Sequence, residues 1–100
     1  MQYQLILQFP EKLINLNDLV KIEDDFVKIL KDGELDGHDI GSGEVNFFIL
    51  TNRPDNAFKS LKPYLMSKEL LNCVKSAYRR IDDEKFFILY PTSLKAFNVQ

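Results

Sequence analysis

The sequence predicts one α+β domain in which two helices cover one face of an antiparallel sheet. Three observations carry that expectation. A length of 100 residues fits one domain. Short apolar runs bounded by Pro, Gly or Asp are interspersed with two longer segments whose apolar residues recur at helical spacing. The 45% hydrophobic content, with 12% aromatics, supplies one modest core, which a disordered chain lacks.

Residues 3–9 read as the first strand. Tyr3, Leu5, Leu7 and Phe9 alternate with Gln4, Ile6 and Gln8, so one face is apolar and the other mostly polar. Pro10 ends it, because proline cannot donate to a ladder. Residues 17–31 read as a helix with Asn17 as N-cap and Asp18 in the first turn. Leu19, Ile22, Phe26, Ile29 and Leu30 form its apolar stripe, and Gly33 is placed as the C′ residue. Residues 35–40 and 44–51 read as a hairpin around Gly41-Ser42-Gly43, whose glycines offer positive φ. Val45 to Leu50 is apolar at nearly every position, the mark of a central strand covered on both faces.

Residues 54–72 read as helical but interrupted. Pro54 suits a first turn, Pro63 predicts a break or kink, and Ser67 is placed as the cap of a second short piece carrying Leu70 and Leu71. Residues 73–80 and 85–90 read as a second hairpin around Asp82-Asp83. Pro91 ends it, and Leu94 and Phe97 of the tail are candidates to dock on the body.

The order β-α-β-β-α-β-β matches the split βαβ of the ferredoxin-like fold through its first six elements, with one strand added. Both helices then lie on one face. The other face would hold Ile6 and one set each from the Phe47/Phe48 and Phe86/Phe87 strands. Such an apolar patch either forms an interface or lies under the C-terminal tail.

Charge and composition exclude several functions. Net charge is −2 and the pI about 5.3, and the nearest approach to a basic stripe is Lys75, Arg79 and Arg80, which argues against nucleic acid. An RNA-recognition sheet would open its third strand with a basic residue and place aromatics on its first strand. Here Glu44 opens the third strand, and Gln4, Ile6 and Gln8 line the polar face of the first. The single cysteine, Cys73, permits no intrachain disulfide. With His38 in a distant segment, Cys73 reads as a small hydrophobe. The N-terminal apolar run is too short for a signal peptide, and nothing approaches the ~20 residues of a membrane span. The expected location is cytoplasmic.

Polar chemistry concentrates in Asp36-Gly37-His38-Asp39-Ile40-Gly41-Ser42-Gly43-Glu44-Val45-Asn46. In a regular strand Asp36 and His38 share one face and Asp39 takes the other, with Glu44 and Asn46 across the hairpin. One His with several carboxylates could bind a divalent ion, but the spacing of known metal motifs is missing. Ser42, His38 and Asp36 supply the letters of a hydrolytic triad without a nucleophile elbow or oxyanion helix. A phosphate nest at the glycines lacks a following helix and a nearby Lys. The simplest reading is structural: the carboxylates cap turn amides and hold His38, and the hairpin tip is available to a partner. Asp36, His38, Asp39, Ser42, Glu44 and Asn46 are therefore the candidate binding residues, with no catalytic set, metal or cofactor assigned.

The run from Asp36 to Ile49, with the later Ala77-Tyr78-Arg79-Arg80 before an aliphatic strand, resembles the hallmark segments of a family of small, uncharacterised bacterial proteins. That resemblance implies a bacterial single-domain protein and brings no activity with it. In size and acidity the chain is also similar to immunity proteins of toxin–immunity systems. The expected function is non-enzymatic protein binding, most concretely neutralisation of a basic nuclease toxin domain. The alternative is a small homodimeric ferredoxin-like enzyme or ligand-binding module using the His38 hairpin. A third option is a peptide ligand added at a sheet edge.

Overall fold

The computed structural model describes residues 1–99. Five strands run Tyr3–Pro10 (β1), Gly33–Gly41 (β2), Glu44–Thr51 (β3), Lys75–Arg80 (β4) and Phe87–Tyr90 (β5), with helices Leu16–Ile29 (α1) and Pro54–Ser67 (α2). They form one antiparallel sheet in the order β2-β3-β1-β4-β5. This is an α+β fold of ferredoxin-like type, with β5 added beyond β4 as an extra edge.

Cross-strand register separates the two faces. Leu5, Leu7 and Phe9 pair with Ile49, Phe47 and Val45, and these six face the helices, packing with Leu19, Phe26, Phe58, Leu61 and Leu65. Phe47 sits at the centre, edge-on to Phe9 and Phe26. The opposite face carries Ile6 and Ala77, paired across β1 and β4, and the tail residue Phe97 closes over them. Phe86 meets Phe97 at 5.2 Å between ring centroids. The expected apolar patch therefore lies under the C-terminal segment.

Several boundaries differ from expectation, each for a local reason. Asn15, not Asn17, caps α1: its Oδ1 accepts the Asp18 N–H at 2.9 Å. Asp32 takes the positive φ after α1 (61°) and Gly33 instead opens β2. Helix α2 runs through Pro63 unbroken. The proline forfeits only a bond to the Lys59 carbonyl, while Phe58, Leu61 and Leu65 hold the helix to the core. No second helix follows. Ser67 Oγ donates back to the Tyr64 carbonyl at 2.7 Å, and the Leu70 N–H closes on the Leu65 carbonyl at 2.8 Å. Strand β4 begins at Lys75 rather than at residue 73.

The link between β4 and β5 is exposed at residues 81–85 and is organised by Arg79. Its Nε donates to Gln4 Oε1, and its Nη1 to the carbonyls of Arg80, Ile81 and Asp83 at 3.0–3.1 Å. A guanidinium suits this task because it presents a rigid fork of donors.

Candidate functional site

Strand β2 does not run regularly. Its pairing with β3 slips between Leu35 and Gly37, leaving Asp36 as the extra residue of a bulge. Gly37 adopts φ 120°, a value side chains resist. The bulge resets the alternation, so Leu35 and His38 both pair with helix-facing residues, Ile49 and Phe47. The expectation that Asp36 and His38 share a face is thereby corrected. Asp36 is exposed at the bulge, and His38 turns to α1, where Nδ1 lies 3.0 Å from Glu23 Oε2.

Asp39, Asn46 and Glu44 turn the other way. Asp39 pairs with Asn46 and Asn46 with Gln8, which lines them up across β2, β3 and β1. The hydrogen bonds follow that row. Asn46 Nδ2 donates to Asp39 Oδ1 at 2.9 Å, Gln8 Nε2 to Asn46 Oδ1 at 2.9 Å, and Gln8 Nε2 again to the Asn98 carbonyl at 2.9 Å. Asn46 is fully buried and Gln8 is 4% exposed.

The ladder has a defined direction. An ionised Asp39 only accepts, so Asn46 must present its amino group to it and its oxygen to Gln8. Gln8 then spends both amino hydrogens, on Asn46 and on the tail. No described group donates to Gln8 Oε1. Because no fully buried polar atom of the described residues lacks a partner, that oxygen is not fully buried, and Gln8 lines a cleft.

That cleft, of about 240 Å³, lies between the hairpin tip and the tail and is lined by Gln8, Ser42, Glu44, Lys75, Phe97 and Asn98, among others. The tip is a two-residue turn, Ser42-Gly43, with φ of 53° and 81°. Both positions are left-handed, as a twist-compatible hairpin turn requires. Positive φ thus falls on Ser42 and Gly43 rather than on the two glycines 41 and 43. The Glu11 N–H donates to the Gly43 carbonyl at 2.8 Å and fastens the tip to the end of β1.

The six candidate residues consequently divide. Asp39, Ser42, Glu44 and Asn46 gather around the cleft or its floor. Asp36 stands alone on the β2 edge, and His38 belongs to the helix side, so Ser42, His38 and Asp36 do not assemble as a triad. Gln8 and Lys75 belong to the cleft yet went unassigned; the one usable signal was the polar alternation of β1. Among the described residues no group of three or more His, Cys, Asp or Glu is placed to hold a metal ion. No helix of the described residues is long and apolar enough to cross a membrane.

Three titrating groups are shifted, none of them in the cleft. Asp25 is held below the usual carboxylate range chiefly by the Tyr64 hydroxyl, which donates to Oδ2 at 2.7 Å, with Lys21 assisting. Tyr64 is raised, first by burial and then by that carboxylate. Burial also pushes the Cys73 thiol up, and its Sγ lies 3.2 Å from the Leu70 carbonyl. That is the environment of an inert thiol.

Comparison of the chain with family models, curated proteins and solved structures gives no match to any of them.

Proposed function

We propose that this chain is a non-enzymatic protein-binding domain that presents the acidic β2–β3 hairpin to a basic partner, most concretely an immunity protein acting in the bacterial cytoplasm against a nuclease toxin domain. The observation that carries this is charge segregation. Residues 32–52 hold five carboxylates (Asp32, Glu34, Asp36, Asp39 and Glu44) and no Lys or Arg, whereas the remaining residues hold ten carboxylates against thirteen Lys and Arg. The segment 32–52 thus carries −5 on a body of +3.

The fold displays this charge at a sheet edge. Strand β2 pairs with β3 alone, and Glu34, Asp36 and Asp39 are exposed along it. The bulge at Asp36 interrupts a regular strand edge and disfavours simple strand addition, so recognition would run through side chains. A nuclease site that grips phosphates is basic, and an acidic edge seated on it would block substrate and accelerate association by charge complementarity.

The test is affinity capture from native cells, comparing the wild type with Glu34→Lys/Asp36→Lys. Neither side chain hydrogen-bonds to a described residue, so folding is expected to survive. A basic partner retained near-stoichiometrically by the wild type, lost by the variant, and protecting cells from that partner's toxicity supports the reading. Equal retention by the variant rejects the site.

One observation favours a second reading, the homodimeric enzyme or ligand-binding module. The Glu23 carboxylate orients the His38 imidazole, an arrangement used in general acid–base chemistry. Against it, the tail occupies the sheet face on which two such domains would stack. Sedimentation separates the readings: a stable dimer favours the module, a monomer the hetero-partner.

A further inference from the structure

We infer that the cleft between the hairpin tip and the C-terminal tail is a binding site for a small free α-amino acid, whose ammonium is taken by Glu44 and Gln8 Oε1 and whose carboxylate is taken by Lys75. This goes beyond the protein-binding reading and does not depend on it, because Glu34 and Asp36 lie outside the cleft.

Three observations converge. First, the cleft carries one charge of each sign, and neither is used elsewhere: among the described residues Glu44 and Lys75 take part in no ion pair. Glu44 lies opposite Pro10 on β3, and Lys75 opposite Gln8 on β4. Two strand spacings and two residues of offset place their Cα atoms about 12 Å apart. Side chains of this length could meet across that span, yet they do not pair with one another, and a small zwitterion would bridge the two charges.

Second, an acceptor at the floor is unmatched among the described residues. Gln8 is 96% buried, and its amide cannot turn over without setting its oxygen against Asn46 Oδ1 and the Asn98 carbonyl. Asp39 enforces this through Asn46, so Oε1 keeps no described donor in a side chain that lines the cleft. A buried amide oxygen with one face open is matched by an ammonium group, which carries three donors.

Third, size fits. A volume of 240 Å³ is that of about eight waters, enough for glycine, alanine or serine. Phe97 lines one side of the space, against which a short aliphatic side chain would rest. Asp39 and Asn46 are positioning residues here, since they act on the ligand only through Gln8.

The experiment is a two-dimensional ¹H–¹⁵N NMR titration of the full chain with glycine and with L-alanine. Methylamine and acetate serve as half-molecule controls, all to about 10 mM, ten times a Kd of about 1 mM. The expected result is saturable shifts confined to Gln8 (side-chain amide included), Ser42, Gly43, Lys75 and Asn98, seen with an amino acid and not with either control. Glu44→Gln and Lys75→Gln are each expected to weaken binding about tenfold while leaving the remaining spectrum in place, because each removes one charge-assisted contact. No saturable shift with either amino acid overturns the assignment. So does a response to methylamine or acetate equal to that of the amino acids, or binding indifferent to either substitution. None of these outcomes bears on capture of a basic partner by the β2 edge.

Discussion

The two faces of the sheet are built by different means. The helix face is closed by two amphipathic helices and is apolar nearly throughout, with Phe47 meeting Phe9 and Phe26 edge-on. The tail face is closed by nine residues with almost no backbone pairing. Within 91–99, the one backbone–backbone hydrogen bond among the described residues is that of the Leu94 N–H with the Pro91 carbonyl. Side chains hold the strap instead: Phe97 in a small apolar cluster and the Asn98 carbonyl on Gln8. The helix face therefore holds the fold, while the tail face is the cheaper one to open and the only one with a buried polar row.

That difference can be broken from either side. The largest effect is expected from Phe47→Ala, which empties the centre of the helix-face core and should cost about 3–5 kcal/mol. Phe97→Ala should cost less, about 2 kcal/mol, because the strap can detach and leave no closed cavity behind. Urea denaturation of the two variants, followed by fluorescence and circular dichroism, checks the ranking. Equal losses would mean that the two faces share one cooperative core.

A smaller effect is expected within the polar row. Asp39→Ala removes the acceptor for Asn46 Nδ2, an atom of a fully buried side chain. It should cost about 1–2 kcal/mol and loosen the tail, which proteolysis near Asn98 would register. Asp39→Asn is expected to restore stability partly, because its amide oxygen can still accept, but its ability to turn over weakens the directionality of the ladder.

The smallest effect concerns pH and lies on the helix side. The folded-state pKa of Asp25 is lowered, mainly by the hydrogen bond from Tyr64. Between the ordinary carboxylate value and that lowered value, the unfolded chain binds more protons than the folded one. The contribution is thus complete above the ordinary value and lost as pH falls through the folded one. Tyr64→Phe is predicted to flatten the acid limb of the stability–pH curve. An unchanged limb would show that Asp25 is not held by Tyr64 in solution.

The helix face was far more legible from the sequence than the tail face. The near-alternation in Tyr3–Phe9, broken at Ile6, and the stripe Leu19, Ile22, Phe26 encode their partners locally, since burial of one face dictates the period. Details governed by single bonds were harder. Asn15 and Asn17 are equally good caps in isolation, and only packing of the stripe chooses between them. Pro63 signals a break, yet tertiary contacts of Phe58, Leu61 and Leu65 override the loss of one bond. The bulge at Asp36-Gly37 carried a signal, glycine inside a strand, and missing it misplaced Asp36 and His38 on a common face. The cleft was half legible. Asp39, Ser42, Glu44 and Asn46 are close in sequence, whereas Gln8, Lys75 and Asn98 reach it through register and tail docking, which no local pattern records.

Native-state hydrogen exchange of the wild type tests the contrast between the faces most directly. Amides of β1 and β3 are expected to exchange only through global unfolding, and those of residues 92–99 through local opening, at least about a hundredfold faster. Tail amides protected to the same level as β1 would contradict the account, because the strap would then be part of the core rather than a separable cover over the polar row.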